Sequence, residues 1–151
     1  RQALTRLALT YLPAQRLDEA RALHEQLLAT TQDDPMLLLN LARLYQLKGD
    51  KRARATAEKA LALAPESASA LDTLGWILVT EKDTATGLKR LRDALARQNN
   101  PLIRYHLAQA LTELGRDAEA RSELRVIIEG GQPAGLVEDV KKYYEKLTAA
   151  R

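Results

Sequence analysis

The chain has 151 residues, 46% of them hydrophobic, but no Phe and only 4% aromatic residues, so Ala and Leu must build its core. Its 23 Lys and Arg stand against 20 Asp and Glu, a net charge of +3, which implies no basic footprint for nucleic acid. The absence of cysteine excludes disulfides, thiol catalysis and thiolate zinc, and with two histidines neither a metal nor a cofactor is expected.

Taken in order, Gln2 to Leu12 carries Leu4, Leu7, Ala8 and Tyr11 at the spacing of one helix face, and Pro13 ends that helix. Its partner spans Leu17 to Thr30, with Leu17, Ala20, Leu23, Leu27 and Leu28 as the apolar stripe. Asp34 is the expected N-cap of the next helix, Met36 to Leu47, with Pro35 at its first position. Gly49-Asp50 turns the chain into Arg52 to Ala64. Pro65-Glu66-Ser67 opens helices over Ser69–Glu81 and Thr84–Gln98, and Asn100-Pro101 opens another pair, Leu102–Leu114 and Ala118–Glu129, with its turn at Gly115-Arg116-Asp117. Beyond the turn Gly130-Gly131-Gln132-Pro133, residues Leu136, Val137, Val140, Tyr143, Tyr144 and Leu147 predict a last helix. No apolar run approaches the ~18 residues of a membrane span.

A Leu followed by a small residue recurs as Leu7-Ala8, Leu41-Ala42, Leu74-Gly75 and Leu107-Ala108, at intervals of 34, 33 and 33 residues. Self-similarity at that period marks stacked helix pairs, each covering the apolar face of its neighbour. The expected fold is all-α: a right-handed superhelical α-solenoid of four helix pairs over 1–34, 35–67, 68–100 and 101–132, with 133–151 as a C-terminal capping helix. Because the chain begins at Arg1 inside a helical pattern, it is read as a C-terminal fragment of a longer protein.

The first helices align as Leu4/Leu7/Ala8/Tyr11, Leu38/Leu41/Ala42/Tyr45, Leu71/Leu74/Gly75/Leu78 and Arg104/Leu107/Ala108/Leu111. The second helices align as Ala20/His24/Leu27, Ala53/Ala57/Ala60, Gly87/Leu91/Ala94 and Ala120/Leu124/Ile127. This set resembles the tetratricopeptide repeat, whose small residues let two helix backbones approach to the ~8 Å lower limit of packing. The usual opening aromatic is Leu three times and Arg104 once, so Ile103 or Tyr105 is expected to fill the space at Arg104. His24, in a core-type slot, reads as a satisfied structural histidine.

The resemblance implies a ligand groove lined by the first helices. Its rows would be Arg6, then Met36, Leu39, Asn40 and Arg43, then Asp72, Thr73 and Trp76, then Tyr105, His106 and Gln109. Apolar anchors mixed with hydrogen-bonding groups suit a protein or peptide partner. Trp76 is read either as a groove contact or as a wedge between repeats. Asn40 sits where the carboxylate-clamp subclass places a groove Asn, but the accompanying Lys, Asn and Arg set is missing. A narrower likeness lies in Leu71-Asp72-Thr73-Leu74-Gly75-Trp76, the run Pro101 to Ala108, and Gly131-Gln132-Pro133. These are similar to the C-terminal end of bacterial PEP-CTERM/exosortase-associated repeat lipoproteins. That likeness implies a periplasmic or outer-membrane-attached parent in an envelope or exopolysaccharide system; without it, a cytoplasmic location is expected.

The reading is therefore a non-enzymatic binding scaffold. One alternative is self-association as a homodimer through the uncapped first helix with Leu4, Leu7, Leu9 and Leu12. A more distant one is a hydrolase-type site in which Asp72 orients His106 as a base across adjacent repeats. No nucleophile elbow, phosphate loop or HExxH accompanies that pair.

Overall fold

The computed structural model describes residues 14–31 and 33–150. The expected first helix, with Arg6, Leu7, Ala8 and Tyr11, lies outside the described residues, as do the apolar residues proposed for self-association. Among the described residues there are eight helices and no strand. They are α1 (Ala14–Thr30), α2 (Pro35–Leu47), α3 (Arg52–Leu63), α4 (Ala68–Thr80), α5 (Thr84–Arg97), α6 (Pro101–Glu113), α7 (Asp117–Gly130) and α8 (Ala134–Ala149). The chain divides into two compact units, 1–66 and 67–151.

The sequence period is written into the backbone. Asp34, Ser67 and Asn100, spaced 33 residues apart, cap α2, α4 and α6 by accepting backbone N–H bonds on their side-chain oxygens. Asp34 Oδ1 takes Met36 N–H at 2.8 Å, Ser67 Oγ takes Ala70 N–H at 3.2 Å, and Asn100 Oδ1 takes Leu102 N–H at 2.8 Å. Each cap satisfies donors that the first helical turn cannot pair internally. The same helices end on left-handed residues: Gly49 at φ 67°, Lys82 at φ 70° and Gly115 at φ 72°. The N–H after each then reaches back to a helix carbonyl: Asp50 to Tyr45 at 2.8 Å, and Asp83 to Leu78 and Arg116 to Leu111 at 2.9 Å.

In the first unit, α1 packs on α2 and α2 on α3. The α1 helix begins at Ala14, three residues before the expected Leu17. Its apolar stripe also differs from expectation: Leu17, Ala20 and Leu28 are half-buried, whereas Leu23 and Leu27 are exposed. A period of 3.6 explains this, since Leu17, Arg21, His24 and Leu28 form one ridge and Leu23 and Leu27 fall beside it. His24 turns its Nδ1–H onto Ala20 O at 2.7 Å, one turn back in its own helix. Helices α2 and α3 meet through buried alanines: Ala42 on one side and Ala53, Ala57 and Ala60 on the other. Tyr45 donates its O–H to Glu25 Oε1 at 2.8 Å, and the Arg52 guanidinium lies 4.2 Å above its ring.

In the second unit, contacts run α4 to α5, α5 to α6, α6 to α7 and α7 to α8, with a further contact between α4 and α6. Gly75 and Gly87 set the α4–α5 crossing. A Cβ built on Gly87 would stand 2.7 Å from Gly75 O and 2.7 Å from Val79 Cγ2. One on Gly75 would stand 2.9 Å from Leu91 Cγ. Side chains larger than hydrogen would drive these backbones apart. The α8 helix closes the unit: Leu136, Val137 and Val140 join Leu111, Leu124 and Ile127 in one core. At the Arg104 position the structure puts Ile103 inward, buried to 1% exposure. Arg104 itself pairs with Glu123 on α7 and donates to Asn99 Oδ1 at 2.9 Å.

Candidate functional site

The second unit brings Asp72 and Trp76 of α4 together with His106 of α6. Residues four apart on a helix share a face, so Asp72 and Trp76 both project toward the neighbouring first helix. The His106 imidazole stacks on the Trp76 indole with ring centroids 4.6 Å apart and planes inclined by 13°. His106 Nδ1 stands 2.7 Å from Asp72 Oδ1, a hydrogen bond from the ring N–H to the carboxylate. Asp72 is only 2% exposed, whereas the His106 side chain retains 17%. A carboxylate taken out of water is costly without hydrogen-bonding partners, and the imidazole supplies one. Stacking and hydrogen bonding together fix the plane and rotation of the His106 ring.

The neighbouring residues of the expected row separate into distinct environments. Tyr105 meets Tyr143 of α8 edge to face, with centroids 5.9 Å apart and an interplanar angle of 83°. Burial, followed by the acidic influence of Tyr143 and Asp139, raises the Tyr105 phenol above its ordinary pKa. Thr73 is buried to 4% exposure and Leu39 to 1%, where accessible side chains were expected. Both sit on helices buried on more than one face, so their side chains belong to the packing. Met36 is exposed, and Asn40, Arg43 and Gln109 are half-buried on their own helices. Trp76 is half-buried and packs against the second unit's core while carrying His106 on its ring. It thus joins two first helices and keeps an accessible edge.

The Asp72–His106 pairing was foreseeable from the row spacing, since the two positions are 34 residues apart, one repeat plus one residue. The Trp76–His106 stack was not, because ring orientation depends on rotamers that a helical wheel leaves open. Among the described residues no group of three His, Cys, Asp or Glu side chains could hold a metal ion. No described helix is long and apolar enough to cross a membrane.

Antiparallel helix pairs joined by Schellman turns, touching mainly their sequence neighbours, define a helical-repeat protein. The tetratricopeptide repeat family profile matches residues 6–126, and the chain belongs to that family. Among solved structures the fold is similar to MamA, with a TM-score of 0.65 and 19% identity over 88% of this chain and 87% of that one. It is also similar to pilF of Pseudomonas aeruginosa, with a TM-score of 0.70 and 21% identity over 99% of this chain and 75% of that one. A third likeness is to YrrB, described as a TPR protein with an unusual peptide-binding site, at a TM-score of 0.62 and 23% identity. That match covers 70% of this chain and 56% of YrrB. At these identities the likeness is one of fold. No curated protein matches the chain closely enough in sequence to count as a relative.

Proposed function

We propose that this chain is a non-enzymatic scaffold that binds a protein or peptide partner on the first-helix face around Trp76 and His106. The observation that carries the reading is the stacked Trp76–His106 pair, held by a buried Asp72 yet still reached by solvent. Aromatic anchors of this kind lose little conformational entropy on binding, because packing has already fixed their rotamers. The tetratricopeptide family and the peptide-binding site described for YrrB support the same partner class. The row Met36, Asn40 and Arg43 is read in the same way within its own unit. A partner from a bacterial envelope or exopolysaccharide system is the finer proposal, and it rests only on the likeness of Leu71–Trp76, Pro101–Ala108 and Gly131–Pro133 to envelope lipoproteins.

A hydrolase-type reading has one observation in its favour, the 2.7 Å Asp72–His106 contact. It lacks the next requirement, because among the described residues no hydroxyl is hydrogen-bonded to His106. The scaffold reading is tested by partner capture from a lysate of the source cells, with captured proteins identified by mass spectrometry. Trp76→Ala should lose the partner by about tenfold or more, as for a central aromatic anchor, while helix content stays constant. Undiminished capture by a folded Trp76→Ala variant would remove this face from the binding site.

A further inference from the structure

Asp72 is too deeply buried to touch a partner, yet it controls the one polar group that His106 can present. When the ionised carboxylate accepts the Nδ1–H, the neutral imidazole has its lone pair on Nε2. Among the described residues neither His106 Nε2 nor Trp76 Nε1 has a hydrogen-bond partner, and neither is a buried orphan. The two stacked rings therefore present an acceptor, His106 Nε2, and a donor, Trp76 Nε1–H, from rigidly held positions. One residue of an extended peptide offers the matching pair, its N–H and its C=O, on the same edge of the backbone.

We infer that Asp72 is a positioning residue that sets His106 Nε2 as a hydrogen-bond acceptor, so that this face reads a backbone N–H donor of an extended peptide. The inference rests on the peptide-binding reading above and deepens it. It also gives Asp72 a role other than the ligand contact expected from its place in the row.

The test has two arms. In the first, a long-range proton–nitrogen spectrum of the full chain reads the His106 tautomer directly. The Nδ1–H form is expected, with a shift toward Nε2–H in Asp72→Asn. Nε2–H in the unaltered chain, whether as the tautomer that a protonated Asp72 donating to Nδ1 would produce or as the imidazolium paired with an ionised Asp72, overturns the inference.

In the second arm, short N-acetylated, C-amidated peptides selected from a random library on the unaltered chain are used as probes. Asp72→Asn should weaken their binding by about tenfold, the worth of one well-placed hydrogen bond. His106→Gln places an amide oxygen near the former Nε2 position without needing Asp72. In that background the added Asp72→Asn change should have no further effect. Equal losses in both backgrounds would show that Asp72 acts through the fold alone and would overturn the inference. If Trp76→Ala and His106→Ala leave peptide binding untouched, the peptide-binding reading of this face fails, and with it the assignment of what Nε2 reads. The tautomer arm separates that failure from a wrong role for Asp72. Helix content measured for every variant identifies any that fail to fold, and the His106 tautomer read on the unaltered chain keeps the test decisive if Asp72→Asn is among them.

Discussion

The turn after α2 concentrates charge on a few side chains. Arg52 donates to Asp50 Oδ2 at 2.7 Å and to Glu25 Oε1 at 3.3 Å, while its guanidinium covers the Tyr45 ring. The side-chain hydrogen bonds from Arg52, then its backbone N–H, hold Asp50 down from 3.8 to about 2. A carboxyl group with a depressed folded-state pKa adds stability above its unfolded pKa and loses it as pH falls through the folded value. The contribution from Asp50 is therefore present above about pH 4 and fades toward about pH 2. Tyr45 works in the opposite direction, since burial and then its bond to Glu25 raise its phenol from 10.0 to about 12. That contribution is complete below about pH 10 and is lost as pH rises through about 12. Carbon-detected NMR titration should find the Asp50 carboxyl midpoint near 2, and Arg52→Ala should return it to the ordinary Asp range. An Asp50 midpoint near 4 in the unaltered chain would contradict the Arg52 clamp. None of this network was legible in the sequence. Glu25 and Tyr45 are 20 residues apart, and the Lys48 to Arg54 run reads as plain solvated charge.

Helix pairs depend on what their crossing points contain. At α4–α5 the backbones come so close that a Gly87 Cβ would overlap Gly75 O, a backbone atom that cannot swing aside. Alanine improves helix propensity by about 1 kcal/mol, but overpacking of a tight core costs about 1–3 kcal/mol, and backbone contact puts Gly87 at the upper end. Gly87→Ala should therefore lower unfolding free energy by about 2 kcal/mol in urea titration. Gly135→Ala, with open space around its Cβ, should be neutral or slightly stabilising. The turn following α4 holds the opposite opportunity. Lys82 occupies the left-handed position filled by Gly49 and Gly115 in the neighbouring turns. A side chain there costs about 1–2 kcal/mol, part of which glycine returns as entropy of the unfolded chain. The exposed Lys82–Glu113 pair offsets little of this. Lys82→Gly should raise the melting temperature by a gain of up to about 1 kcal/mol, whereas Gly115→Ala should lower it by a similar amount. A fall for Lys82→Gly would mean that the Glu113 contact outweighs the backbone term. Here the sequence was informative: the Leu-small pairs marked the crossings, and Gly49 and Gly115 marked two turns. Lys82 hid the third, because a lysine gives no sign of positive φ.

Across the molecule, the period was legible in the Leu-small pairs, and in the structure capping and turn geometry return with it every 33 residues, at Asp34, Ser67 and Asn100 and again at Gly49, Lys82 and Gly115. What escaped was side-chain direction: Leu39 and Thr73 inside, Tyr105 against Tyr143, Trp76 against His106. A row on a helical wheel fixes which way a Cβ points, but the depth of burial depends on every element packed around it. The α8 helix shows how far such packing matters. It covers Leu124 and Ile127 of α7 with Leu136, Val137 and Val140, and Arg125 Nε donates to Tyr144 Oη at 3.2 Å. Each buried aliphatic side chain is worth about 1.5–3 kcal/mol, so the three on α8 contribute several kcal/mol before the entropy of ordering the helix is subtracted. A chain ending at Gly130 would also uncover the α7 face and leave Tyr105 without its edge-on partner. That truncation should lower the urea midpoint of the second unit, increase binding of a hydrophobic dye, and promote self-association at high concentration. Light scattering and urea unfolding measured together decide the matter. A truncated chain that stays monomeric with an unchanged midpoint would show that α7 tolerates an open apolar face and that α8 is not a cap.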